Sequence, residues 1–196
     1  MERKLNKKFF KNHPISSMSA FQIQYYNYVE GGIEDIVEIL ESGRMGMAVE
    51  DSKDLEKINL MTDPEELVNY MRKNNSIYVK YKLGLKILEN EKETIGLIKK
   101  RAMTSVQDFF IESATSFFLR NQENCCEWIL DHYDTFRSEY LKAMLCLVLG
   151  FRGDSTMVPF LMNEVERFER EYPEEEYKQG PLIALGELSL RFHLIK

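Results

Sequence analysis

The sequence predicts an all-α protein built as a stack of antiparallel helical hairpins, a short α-solenoid. The first observation is a repeated apolar register. Val158, Leu161, Val165 and Phe168 are spaced three, four and three, and the positions 32 residues earlier hold Cys126, Ile129, Tyr133 and Phe136. That spacing puts each set on one stripe of a helix. The second is that the preceding helices correspond too, with Leu141, Leu145, Val148 and Leu149 lying 31 residues after Phe110, Ala114, Phe117 and Phe118. Repeats of this length made from paired helices mark a solenoid, because each hairpin alone leaves an apolar face that only a neighbour can bury. The third is punctuation: the five prolines and ten glycines leave long stretches free of helix breakers and fall mostly between the periodic segments.

Element by element, residues 1–12 form a basic N-terminal arm. Arg3, Lys4, Lys7, Lys8 and Lys11 oppose only Glu2, and a solvated terminus is a better reading of that run than a phosphate-binding arm. Residues 13–62 read as an N-terminal helical cap region. Phe21, Tyr25, Tyr26 and Tyr28 lie on an aromatic-rich helix that stops at Gly31-Gly32. Ile33, Ile36, Val37 and Leu40 then make a short amphipathic helix ending at Gly43, and residues 44–52 read as a loop. An independent subdomain ending near Ser52 is the alternative, as is one continuous domain over 13–196.

Residues 63–196 read as the repeats. Asp63-Pro64-Glu65-Glu66 is a strong helix start, with Asp63 capping, Pro64 at the first helical position and Glu66 completing a capping box. A fainter hairpin follows, with Tyr81, Leu85 and Leu88 on one helix and Ile95, Ile98 and Ala102 on the next. Gly150 and Gly153 suit positive φ at a helix end, and Asp154 or Ser155 caps the helix that carries Pro159 near its first turn. Tyr172-Pro173 ends that helix, and Glu174, Glu175 and Glu176 suit the positive end of a last one over 177–192.

Leu149-Gly150 through Asp154, followed by Val158-Pro159-Phe160-Leu161, resembles the unit of HEAT-type helical repeat proteins. In that pattern the first helix ends in a Leu-Gly turn, an aspartate opens the second, and a proline follows a small apolar residue near its start. The match is best over 137–170 and partial over 105–136, and the upstream copies lack the Asp and the Pro. The resemblance implies a right-handed stack with a concave or edge surface that binds another macromolecule, usually a protein. It carries no catalytic residue.

Composition and motifs narrow the chemistry. Asp and Glu outnumber Lys and Arg by 32 to 26, a net charge of -6, and taking away the +4 of residues 1–11 leaves -10 on the rest. That balance counts against nucleic acid as a partner. The HEAT-like DNA glycosylases resemble this chain in helical pairing, but they use a basic, aromatic-lined cleft, and Trp128 is the single tryptophan here. No metal or cofactor is expected. Cys125 and His132 are two turns apart, about 10 Å along a helix, Cys126 and His132 point to opposite sides, and no Cys-x-x-Cys, His-Glu-x-x-His or phosphate-cradling glycine motif occurs.

Adjacent Cys125 and Cys126 diverge by about 100° on a helix, so at most one faces the core squarely. Cys146 reads as core filling. Gly84, alone within Lys82-Leu83-Gly84-Leu85-Lys86, reads as a close helix contact. Glu164, Glu166, Glu169 and Glu171 alternate with Arg167 and Arg170 and read as ion pairs on a solvated face. The Arg152-Gly153-Asp154 tripeptide is explained by the turn between two helices, except for Arg152.

The expected function is that of a non-enzymatic protein–protein interaction module whose acidic edges steer a basic partner. The candidate binding residues are Arg152 and Asp154 at the inter-repeat turn, and Tyr172, Glu174, Glu175 and Tyr177 in the following loop. A bacterial immunity or inhibitor protein that neutralises a basic toxin is the first alternative. A hydrolase with a Glu/His cleft is the least supported, with histidine only at 13, 132 and 193. No window approaches the roughly 18 apolar residues of a membrane span, so no membrane partner and a cytoplasmic location are expected.

Overall fold

The computed structural model describes residues 5–42 and 49–195. Among them the chain is all-helical. The helices are α1 (Lys7–Asn12), α2 (Ala20–Tyr28), α3 (Gly32–Glu41), α4 (Val49–Leu60), α5 (Pro64–Tyr70), α6 (Ile77–Glu89) and α7 (Glu91–Ala102). They continue as α8 (Asp108–Arg120), α9 (Cys126–His132), α10 (Glu139–Arg152), α11 (Val158–Glu171) and α12 (Gln179–Arg191). Residues 43–48, with Gly43 and most of the expected loop, lie outside the described set, and 49–52 form the first turn of α4.

Local chemistry explains several starts. Ser19, Asp63, Ser76 and Ser138 each accept a bond from a backbone N–H two or three residues on, satisfying a donor that the first turn leaves open. Asp154 does the same for a 3-10 turn, Ser155–Met157, that feeds into α11. Pro159 lies in the first turn of α11, where it forfeits no helical hydrogen bond. At the other end of the chain α12 closes on itself. Phe192 N–H donates to Leu188 O and Leu194 N–H to Ser189 O at 3.2 Å, around His193 with φ 51°. This is a Schellman turn with histidine where glycine is usual.

Helices α6, α8, α10 and α12 form a row in which each lies against the next, with α4 beside α6. Further contacts join α5 to α7, α7 to α6 and α8, α9 to α10, and α11 to α12. Helix α2 lies across α8, α10 and α12, while α3 and α4 meet α6. With neighbours all round it, α10 is apolar all round, and Ala143 through Gly150 are buried without a break. One core runs from Leu5 to Leu188, with a small satellite at Ile33, Val37 and Tyr78. The repeated positions fall inside it, since Phe110, Ala114, Phe117, Phe118, Leu141, Leu145, Val148 and Leu149 are all buried. Of the second set only Val158 is left partly exposed, but Tyr133 and Phe136 do not share a helix stripe with Cys126 and Ile129, because α9 ends at His132 and a 3-10 turn follows.

Several expectations change. Gly150 and Gly153 have no positive φ. Gly150 sits inside α10 because a Cβ there would lie 2.4 Å from Ala184 Cα, and a Cβ at Gly180 would lie 2.0 Å from Ala143 O. The row is therefore pressed backbone to backbone at α10 and α12. Gly84 makes no such contact, its nearest neighbour being Arg120 Nη1 at 3.9 Å. Cys125 and Cys126 are both buried, at 1% and 5% exposure. The helical 100° does not apply to them, because Cys125 is the cap residue with ψ near 6°. In the arm, Leu5 is buried and Phe9 and Phe10 pack on the core, while Lys7, Lys8 and Lys11 stay exposed.

Candidate functional site

Arg152 is the last residue of α10, and its guanidinium reaches back to α8. Nη1 donates to Asn121 O at 2.7 Å and Leu119 O at 3.3 Å, and Nη2 to Gln122 O and Glu123 O at 3.4 Å. These carbonyls have no intrahelical donor. Arg191, the last residue of α12, does the same for α10, with Nη1 2.8 Å from Gly150 O and Nη2 3.1 Å from Gly153 O. Arg120, the last residue of α8, stacks its guanidinium 4.8 Å from the Tyr81 ring of α6. Arg152 thus has the structural role that its sequence neighbours did not supply. The signal was present as the 32-residue offset between Arg120 and Arg152. Asp154 accepts from Thr156 N at 2.8 Å and from Thr156 Oγ1 at 2.5 Å, and these bonds, the hydroxyl first, hold its carboxyl below the usual range.

The loop residues gather elsewhere. Glu174, Glu175, Glu176 and Tyr177 face Asp108 of α8 and Tyr140 of α10 across a groove of about 290 Å³, closed by Ala20 and Phe21 of α2. Tyr140 and Arg152 stand at opposite ends of α10, about 18 Å apart along its axis. The six candidate residues therefore divide between two edges of the row. Tyr172 is behind the groove, packed on Phe168 and on Tyr177 with ring centroids 5.6 Å apart. Phe21, Tyr140 and Tyr177 form a chain of ring contacts, at 5.6 Å and 6.2 Å. Burial first, then the Glu175 and Asp108 charges, raises the Tyr177 phenol; burial, then Glu112 and Asp108, raises Tyr140. Both present neutral hydroxyls.

The four groove carboxylates differ from those in the fold that are ion-paired. Glu112 pairs with Lys80 at 3.0 Å, Glu169 with Lys178 at 2.9 Å and Glu139 with Arg167 at 2.7 Å. Among the described residues, Asp108, Glu174, Glu175 and Glu176 have no cation within ion-pair distance, and the groove lining contains none. Asp108 opens α8 and Glu176 opens the 3-10 turn before α12, so helix N-termini offset part of the repulsion. Asp108 and Tyr140 were missed by sequence reading. They too are 32 residues apart, at the same edge of successive row helices.

A second polar cluster is buried. Glu164, expected on a solvated face, is 8% exposed. It accepts from Tyr133 Oη at 2.7 Å and from Arg167 Nη2 at 2.7 Å, and Arg167 Nη1 goes on to Glu139. The pairing at i,i+3 is as expected but its place is not, because α9 stops at His132 and a 3-10 turn lays Tyr133 across it. Cys146 Sγ lies 3.4 Å from Tyr133 Oη, and burial pushes both groups up. Among the described residues no three His, Cys, Asp or Glu side chains are grouped to hold a metal ion, and no helix is long and apolar enough to cross a membrane. No protein-family model matches the chain, and no curated protein or solved structure is significantly similar to it.

Proposed function

We propose that the chain is a non-enzymatic protein–protein interaction module that receives a basic segment of its partner in the groove between Asp108, Tyr140 and the 174–177 loop. One observation carries this reading: four carboxylates without a cation line one groove beside two half-buried tyrosines. Such a lining attracts lysine and arginine over distance, and the rings offer flat surface that is costly to leave wet. We further propose that the row is a short right-handed α-solenoid of the HEAT type. The contact of each row helix with the next but one in the chain supports that reading. Three unpaired cysteines fit a reducing compartment, and we place the protein in the cytoplasm.

The test uses fluorescence anisotropy with an arginine- and lysine-rich peptide as probe. Wild-type protein is expected to bind it in a salt-dependent way. The triple variant Glu174→Lys, Glu175→Lys, Glu176→Lys is expected to bind at least about tenfold more weakly. Reversing Glu93 and Glu127, exposed on other helices, changes total charge without touching the groove and is expected to have little effect. If both sets weaken binding equally, the attraction is general and the groove is not the site.

A further inference from the structure

A cavity of about 230 Å³ lies between α2, α6 and α8 and shares only Ala20 with the lining of the acidic groove. Its apolar wall is Met71, Leu83, Ile87 and Phe117, all buried. Its polar wall carries side chains whose hydrogen-bonding capacity the protein does not fully use. Asn27 is 6% exposed, lines the cavity, and among the described residues its amide has no protein hydrogen bond. Ser113 Oγ, also in the lining, is buried without a partner. Gln24, 7% exposed, donates Nε2 to Glu112 O at 2.8 Å and has no protein donor for Oε1. Buried amides and hydroxyls are rarely left unmatched, because each forfeits its bonds to water. Asn27 and Gln24 leave hydrogen-bonding capacity unused at one cavity wall, with the unmatched Ser113 Oγ beside them, and this points to something that completes them.

The chemistry of the lining restricts what that is. The one charged pair, Lys80 with Glu112 at 3.0 Å, cancels itself, so a charged ligand would enter without a counter-charge. Asn27 and Gln24 lie one helical turn apart on α2 and offer both donor and acceptor. A cavity of 150 Å³ holds benzene, so this one holds about ten heavy atoms. We propose that the α2–α6–α8 cavity is a binding site for a small uncharged molecule with an amide-like hydrogen-bonding edge on an apolar body. Its polar edge meets Asn27, Gln24 and Ser113, and its apolar body lies on Phe117 and Leu83.

Benzamide is the probe, with benzoate, benzylamine and toluene as anionic, cationic and purely apolar counterparts. Protein-observed NMR titration of the full chain is expected to show saturable shifts at the Asn27 side-chain amide and around Ser113. Benzamide is expected to bind at least about tenfold tighter than either charged analogue. Asn27→Leu is expected to weaken benzamide at least about tenfold and to improve toluene. Ser113→Ala removes a hydroxyl with no partner to lose, so it keeps the fold and is expected to weaken benzamide several-fold. Absence of saturable shifts at Asn27 and Ser113 up to about 10 mM benzamide overturns the proposal, and the cavity then holds water only. Equal binding by wild type and Ser113→Ala, or no preference over benzoate and benzylamine, overturns it as well.

Discussion

Single side chains close the helix ends of the row. Arg152 supplies donors to carbonyls at the end of α8 that would otherwise face a half-buried surface unpaired. Arg152→Met is expected to lower stability by about 2 kcal/mol, read from the midpoint of urea unfolding at unchanged slope. Arg152→Lys recovers little of this, since an ammonium cannot span carbonyls as the planar fork does. The cysteines make a second residue-scale case. Burial pushes the Cys126 thiol up to about 11, and burial also raises Cys125 and Cys146. All three are then protonated at pH 8 when folded, and a thiol-reactive dye is expected to label none of them until urea is added. The sign for stability follows. Between the ordinary thiol pKa near 9 and the raised folded values, the folded chain holds protons that the unfolded chain releases. Stability therefore falls as pH rises through that interval, visible as a drop in unfolding midpoint from pH 8 to 10.

At the scale of helices, the contact between α10 and α12 is the most constrained in the fold. Gly150 and Gly180 let the two backbones touch, and a methyl at either would overlap main-chain atoms that cannot turn aside. Gly150→Ala and Gly180→Ala are each expected to cost about 3 kcal/mol in chemical denaturation, against the ordinary preference for alanine in helices. Gly96, inside α7 with nothing within 4 Å of a Cβ, is the contrast, and Gly96→Ala is expected to add up to about 1 kcal/mol. Here the sequence was readable in its periods and less so in its glycines. The positions that the 31- and 32-residue offsets mark on α8, α10 and α11 are buried except for Val158, because side-chain burial leaves a periodic trace, although they are only about half of the positions these helices bury. Gly150 and Gly84 were exchanged in meaning, because a glycine admitting a neighbouring backbone and a glycine beside a cavity look alike in a chain. Glu164 was misplaced for a related reason: its partner Tyr133 comes from a turn whose direction no period records.

Across the whole molecule, the groove gathers residues from four parts of the chain. The 174–177 loop was legible as polar and aromatic, and its helix-start chemistry was legible too. That it faces Asp108 and Tyr140 was not, because the meeting depends on how far each row helix is advanced against the last. The N-terminal region was the least legible part. Helix α2 carries Phe21, Gln24 and Asn27 on one buried face, and two of those three are polar, so an apolar stripe gave no sign that it crosses three other helices. A face that buries amides looks like a surface until its partners are seen. The net -10 outside the first 11 residues is likewise not spread evenly. Several carboxylates are tied up by lysine and arginine, and four of those that are not gather along one edge of the row.

The arginines at the opposite edge give the row a direction. Each clamp belongs to the later helix and grips the earlier one: Arg191 holds the end of α10, and Arg152, within that same end, holds α8. Fraying of α12 withdraws the grip on the strip of backbone that carries Arg152, and so loosens the next grip along. Fraying of α8 likewise removes the acceptors of Arg152 and so loosens the strip that Arg191 grips. The coupling along this seam is mutual, each contact steadying both helix ends that make it, and the self-closed end of α12 secures the last one.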